Sequence, residues 1–291
     1  MVSQATEVSL KRVIISCMKI NRAKSRIKIA TSCIVALICV VGVGYSGFKI
    51  YEWVTDSIDT SEQTNRINDA TSTREVADGA NTEIVPSGEP EDAPYWKYLK
   101  MNLIDVDFDE LYRINNETAG WVQVSGTNIN YPYVKGANND FYLKHSFDKS
   151  YNVAGWVFQD FRNKNDDTDK NMILYAHGRT DGSMFGTLRT ILTNGWLSNP
   201  DNYIVRTVTE SDSSLWQVFS VYHIKVTSDY IQTNFSSDRQ FENFANMLKN
   251  RSKKDFNTVV SGSDKILTLS TCYSSTERVV LHAKLIKRQP K

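Results

Sequence analysis

Ile266-Leu267-Thr268-Leu269-Ser270-Thr271-Cys272 and Arg278-Val279-Val280-Leu281-His282-Ala283-Lys284-Leu285-Ile286 flank a polar segment at 273–277. Both apolar runs are short and rich in β-type residues, so they read as neighbouring strands joined by a loop. Similar runs recur upstream at 121–124, 129–134, 155–158, 172–175, 203–208 and 216–224, separated by Gly, Asn and Asp turns. About eight short strands at this spacing predict a mainly β fold with peripheral helices, closed into a barrel.

Helical pieces interrupt the strands. Asp107 caps a short helix through Leu111 to Ile114 in this reading. Phe185, Leu188, Ile191 and Leu192 follow helical spacing after the turn Asp181-Gly182-Ser183. Phe241, Phe244, Ala245 and Leu248 do the same after the capping-box pair Ser237 and Gln240. These apolar faces read as core packing.

The chain has 291 residues and a formal net charge of +1, which gives no general reason to expect a nucleic-acid partner. Charge is informative only at the N-terminus. Residues 29–48 carry no charge and are strongly apolar, about the length a helix needs to cross a ~30 Å hydrocarbon layer. Lys11, Arg12, Lys19, Arg22, Lys24, Arg26 and Lys28 precede this run, against Glu7 alone. The expected organisation is a basic cytoplasmic leader at 1–28, a transmembrane helix at 29–48, an extracellular stalk at 49–93 and a catalytic domain at 94–291. A cleaved signal peptide is the rival reading. The long basic leader, the length of the apolar run and the lack of a small-x-small site argue against it. The stalk reads as helical near 51–67 and flexible beyond, because it is polar and ends in Pro86, Gly88, Pro90 and Pro94.

Cys17 falls in the leader, Cys33 and Cys39 in the apolar run, and Cys272 alone in the exported part. Such a thiol is a buried apolar residue, a site of intermolecular pairing or a reactive group. Cys272 closes a strand where a polar loop begins, and Arg278 opens the next strand. A guanidinium there would favour the thiolate and donate to a developing oxyanion; a surface ion pair with Glu277 or another acid is the alternative. A proton-transfer partner comes from His145, His177, His223 or His282. His177 follows a strand and precedes a Gly/Asp turn, the geometry that lets side chains meet at a barrel rim. His145 sits in a loop, while His223 and His282 lie within strands. No ligand spacing suggests a metal, no cofactor is expected, and Asp166-Asp167-Thr168-Asp169 reads as a solvated turn rather than a calcium site.

With these residues in view, the chain resembles the class B sortases from about 95 to 287. Thr268-Leu269-Ser270-Thr271-Cys272 is similar to that family's active-site strand. Tyr175-Ala176-His177 with Asp181-Gly182-Ser183-Met184-Phe185 is similar to its histidine motif. Ile129-Asn130-Tyr131-Pro132, Asn139-Asp140-Phe141-Tyr142-Leu143, Gly155-Trp156-Val157-Phe158 and Asp160-Phe161-Arg162-Asn163 extend the likeness, and the helix near 237–249 resembles the insertion that separates class B from other sortases. The chain departs at Ala176, often Gly in the family, at Gly178-Arg179, often Asn-Met, and in its short Cys-to-Arg loop.

The resemblance implies a membrane-anchored cysteine transpeptidase, a peptidase-type acyltransferase with Cys272 as nucleophile, His177 as general acid/base and Arg278 at the oxyanion. It implies a surface or pilin protein with a C-terminal Asn-Pro-x-Thr-type sorting signal as substrate. The acceptor is an amino group of a peptidoglycan precursor or a pilin lysine. By position, Asn139, Leu143, Tyr230, Ile231 and Ser270 match places that line the family's peptide groove. The competing readings are a cysteine endopeptidase that simply hydrolyses and a membrane-tethered binding or scaffold domain.

Overall fold

The computed structural model describes residues 4–85, 88–164, 166, 168–272 and 276–291. They form helix α1 (Gln4–Ala70), strands β1 (Thr73–Val76) and β2 (Glu83–Ile84), helix α2 (Tyr95–Tyr98), β3 (Leu103–Val106), helix α3 (Asp109–Ile114), and strands β4 (Thr118–Val124), β5 (Asn130–Val134), β6 (Phe158–Gln159) and β7 (Asn171–Ala176). Helix α4 (Asn194–Leu197), strands β8 (Ile204–Val208) and β9 (Asp212–Lys225), helix α5 (Asp238–Asn250), β10 (Ile266–Cys272) and β11 (Glu277–Pro290) complete the order. Two compact units divide the chain, residues 1–55 and 56–291. The first is helical. Among the described residues, α1 is the one helix long and apolar enough to cross a membrane, and its apolar window is entirely unburied.

The second unit holds the barrel. Its strands run β10-β7-β6-β5-β4-β8-β9-β11, and β11 pairs back onto β10 to close eight strands into a ring, with β2 added outside β11. Closure leaves none of the eight as a free edge. β10 is parallel to β7 and antiparallel to β11.

The alternation of side chains explains why β10 and β11 lack an obvious polar face. Leu267 and Leu269 of β10 and Val279, Leu281, Ala283 and Leu285 of β11 join the core inside the barrel. Ile266 and Val280, of the opposite parity, join a second cluster with Phe219, Tyr222 and Tyr230 beneath Phe241, Phe244, Ala245 and Leu248 of α5. Helix α5 thus covers the outer face of these strands, and both faces are apolar for separate reasons. Its start is set as the sequence suggests, with the Ser237 hydroxyl accepting from the Gln240 N–H at 3.2 Å.

Three expectations change. Residues 186–192 form a 3₁₀ helix rather than an α-helix. The run at 155–158 is mostly not strand: Gly155 has φ +61°, Trp156 N–H donates to the Tyr142 carbonyl at 2.9 Å, and only Phe158 and Gln159 join the sheet. The stalk expected at 49–93 is largely part of the compact unit from Asp56 onward. Helix α1 continues to Ala70, β1 pairs with β3, and β2 pairs with β11. Several of its polar side chains are bonded to the domain. Gln63 accepts from Phe147 N–H at 2.8 Å, and buried Glu89 accepts from Val259 N–H at 2.6 Å. Pro86, part of the expected stalk, lies outside the described residues, as do Asp167 and 273–275 of the expected loop.

A buried lysine pins this segment. Lys287, 1% exposed, donates to Asp78 at 2.6 Å and to the carbonyls of Leu99 at 2.8 Å and Met101 at 2.7 Å. Lys287→Met fills similar space but leaves those acceptors unmatched, so it is expected to cost about 3 kcal/mol. Urea unfolding of the micelle-bound chain checks this; a loss below about 0.5 kcal/mol would show that Lys287 does not hold the segment.

Candidate active site

The register of three adjacent strands determines which residues meet at one rim. In the antiparallel β10–β11 pair, Cys272 lies directly opposite Arg278. In the parallel β10–β7 pair, Thr271 lies opposite Ala176, so the next step along both strands brings Cys272 level with His177. Residues widely separated in the chain therefore share one strand-end row. The Cys272 side chain lies outside the described part, as does the loop 273–275.

His177 is half-buried, and its Nε2 lies 2.8 Å from the Leu143 carbonyl. A carbonyl only accepts, so Nε2 carries the proton and Nδ1 is left for chemistry. Gly155 makes this approach possible. A Cβ there would come within 2.5 Å of the Tyr142 carbonyl oxygen and 3.0 Å of that of Leu143. The loop beyond His177 is tied at its base by a Gly178–Met184 bridge and by Phe185 N–H donating to the His177 carbonyl at 3.0 Å.

The other histidines fall elsewhere. His282 is fully buried between Tyr222 and Thr268, each at 2.9 Å; burial, with Arg251 nearby, lowers its pKa to about 3, so it is neutral at physiological pH. His223 pairs with Glu277 at 3.3 Å. His145 stacks on Phe141 at 3.8 Å and bonds the Phe141 carbonyl at 2.7 Å. Arg278 donates to the Glu277 carbonyl at 2.9 Å.

The residues expected to line a groove divide into local pairs. Tyr230 and Ser270 are both buried, with hydroxyls 2.9 Å apart. Leu143 acts on His177 through its carbonyl. Asn139 accepts from Phe161 N–H at 3.0 Å, and the Ile231 carbonyl accepts from Arg162 at 3.0 Å.

A network without a role in the sequence reading connects several of them. Arg162 donates to both oxygens of Asp160, at 2.8 and 2.6 Å, and Tyr175 donates to the same carboxylate at 2.8 Å. Tyr175 lies opposite Ser270 in the β7–β10 register. Burial pushes the Asp160 carboxyl up, but the bonds from Arg162 and Tyr175 outweigh it and leave its pKa below the ordinary range. Asp160-Phe161-Arg162-Asn163 is visible as a motif; only Tyr175, brought in by strand pairing, reveals what it does.

Among the described residues no group of three or more His, Cys, Asp or Glu is arranged to hold a metal.

The sortase-domain profile matches residues 122–286. Sortase B of Staphylococcus aureus is 35% identical over 184 residues, covering 62% of this chain and 75% of that protein. The crystal structure of sortase B from B. anthracis in complex with AAEK1 superposes with a TM-score of 0.62 at 30% identity, over 82% of this chain and 99% of that one. A crystal structure of sortase B complexed with triglycine matches with a TM-score of 0.58 at 34% identity, over 62% and 85%. These matches define a cysteine transpeptidase class. The chain belongs to the sortase family, within its class B.

Asp181 anchors the turn after His177. Burial raises its pKa, but bonds from Ser183, Arg179 and Ser57 prevail and hold it at about 2. Because the folded value is depressed, the stabilisation is fully present above the unfolded pKa of about 4 and is lost as pH falls through about 2. Asp181→Asn is expected to lose about 1 kcal/mol at pH 7, the shift being discounted because the carboxylate is partly solvent-screened, with the gap to the native chain closing between about pH 4 and 2. Urea titrations at several pH values check it; a gap that does not change with pH would assign the loss to something other than this charge.

Proposed function

We propose that the chain is a single-pass, type II membrane transpeptidase that cuts a C-terminal Asn-Pro-x-Thr-type sorting signal after Thr and passes the protein to an amine. The observation that carries this reading is the alignment of Cys272, His177 and Arg278 on three paired strand ends. The basic leader before the apolar stretch of α1 supports an N-terminus in the cytoplasm and the barrel outside.

In this mechanism the Cys272 thiolate attacks the Thr carbonyl carbon, and the electron pair moves to the carbonyl oxygen. Arg278 and a backbone N–H stabilise that oxyanion. Collapse breaks the C–N bond, and the imidazolium of His177 gives its Nδ1 proton to the departing amine. A thioester remains on Cys272. An incoming primary amine then attacks it, His177 takes the surplus proton, and the thiolate leaves as the new amide forms.

The buried pair Tyr230–Ser270 and the Asp160–Arg162–Tyr175 network form the floor against which the sorting signal binds, with Asn139, Leu143 and Ile231 along its side. The acceptor is an amino group of a peptidoglycan precursor or of a pilin lysine, and the sortase B complex with triglycine favours the amine-acceptor reading. Water serves as a slow substitute. The charges and carbonyls needed for each step come from the chain itself.

Mass spectrometry of the full chain in micelles with an Asn-Pro-x-Thr peptide, with and without triglycine, tests the assignment. Cleavage after Thr with a triglycine-capped product is expected, absent in Cys272→Ala. His177→Ala and Arg278→Ala are each expected to lower kcat by about 10²- to 10³-fold. Hydrolysed product alone, indifferent to amine, would favour the endopeptidase; no cleavage across a panel of sorting peptides would favour the scaffold.

A further inference from the structure

The last turns of α1 touch both backbone segments between which His177 is held. On one side they grip the loop that follows Leu143. Asn152 donates to the Asp56 carbonyl and to the Thr60 hydroxyl, each at 3.2 Å, and Gln63 accepts from Phe147 N–H at 2.8 Å. The same loop is tied to Leu143 at close range, since Asn152 N–H donates to the Lys144 carbonyl at 3.0 Å. Thr60 and Ile67, each 1% exposed, seat the helix.

On the other side, the helix reaches the loop that follows His177 through the Ser57 hydroxyl. Ser57 donates to Asp181 Oδ2 at 2.9 Å and accepts from Nη2 of Arg179. Arg179 in turn donates from Nε to Asp181 Oδ2 at 3.0 Å, with its side chain 7% exposed. Asp181 Oδ1 is occupied by Ser183, whose N–H donates at 2.9 Å and whose hydroxyl donates at 2.6 Å. The tip of the loop is therefore closed on itself, and Ser57 joins it to α1. A hydroxyl has one proton to give and lone pairs to accept with, so a single serine completes both bonds.

We propose that Ser57 is a positioning residue for the reaction, fixing the 178–184 loop so that the His177 ring keeps its Nε2–H on the Leu143 carbonyl. The inference rests on the reading of His177 as the acid/base. Its consequence is that the juxtamembrane end of α1 belongs to the catalytic apparatus and is more than a tether. Without the hydroxyl, Arg179 and Asp181 remain paired with each other, but the loop loses this hydrogen-bonded link to the helix. The imidazole then samples orientations in which Nδ1 is misaligned for proton transfer.

The test uses the full chain in micelles with isotope-labelled histidine; it has four histidines, so the His177 ring is assigned with His177→Gln. In Ser57→Ala, solvent exchange of the His177 Nε2–H is expected to quicken about five-fold, the effect of losing one ordinary hydrogen bond. kcat is expected to fall by a similar factor with KM unchanged, and Ser57→Thr, which retains the hydroxyl, to restore both. Unchanged ring exchange in Ser57→Ala would overturn the proposal. Equal impairment in Ser57→Ala and Ser57→Thr would do so too, because packing rather than the hydroxyl would then be responsible. A native chain that processes no sorting peptide would remove the proposed function, while the ring-exchange comparison would still decide the role of Ser57.

Discussion

The pairing of β10 with β7 on one side and β11 on the other is the constraint on which the structure depends. It closes the barrel, and the same hydrogen-bond ladders fix the level at which Cys272, His177 and Arg278 stand. A slip of one residue in β10–β11 would break the row and turn every β10 side chain to the wrong face. Such a slip is opposed from both sides. Leu267 and Leu269 would leave the interior core, while Ile266 would leave the cluster under α5. The alignment of this row is thus enforced by the ordinary burial of aliphatic side chains on either side of one strand.

How much of this is legible in the sequence depends on what kind of signal each element carries. The runs around Leu267 to Leu269 and Val279 to Leu281 are legible because uninterrupted β-type residues can only be satisfied with both faces covered. Helix α5 is legible from Phe241, Phe244, Ala245 and Leu248 with Ser237 ahead of them. The stretch beginning at Gly155 misleads because its apolar residues suit a strand, whereas the backbone conformation of Gly155 and the bond from Trp156 to Tyr142 are set by a neighbouring loop. The segment 56–93 misleads for the opposite reason. Its polarity suggests solvation, yet Gln63, Asp78 and Glu89 find partners on the domain, and composition carries no record of where a partner is. In the site, the strand-end positions of Cys272 and His177 are visible in the sequence, while the Leu143 carbonyl and the Tyr175–Asp160–Arg162 network arise from tertiary approach alone.

The division of charge around the site has a chemical logic. His177 is oriented by a neutral carbonyl, which settles the position of its proton without placing a second charge beside it. The nearby carboxylate, Asp160, is fully engaged by Arg162 and Tyr175. It stays ionised, yet its charge is compensated within that network rather than by the imidazole. Arg278 stands directly across from Cys272 in the β10–β11 ladder, so a strand-borne cation shares that row.

The same arrangement connects the segment leading into the barrel to the surroundings of His177. A ring held by one carbonyl keeps its orientation only if the segments on either side of it are stiff. Leu143 is stiffened by the close backbone contact at Gly155 and by the loop that Asn152 and Phe147 fasten to α1. The loop beyond His177 is stiffened by Arg179, Asp181 and Ser57. Both supports converge on helical residues 56–63, on a helix outside the barrel. A barrel that begins at residue 94 would keep all three candidate residues yet lose these bonds to α1, because the row of strand ends sets the level of His177 while the segments on either side of its ring are tied to the helix.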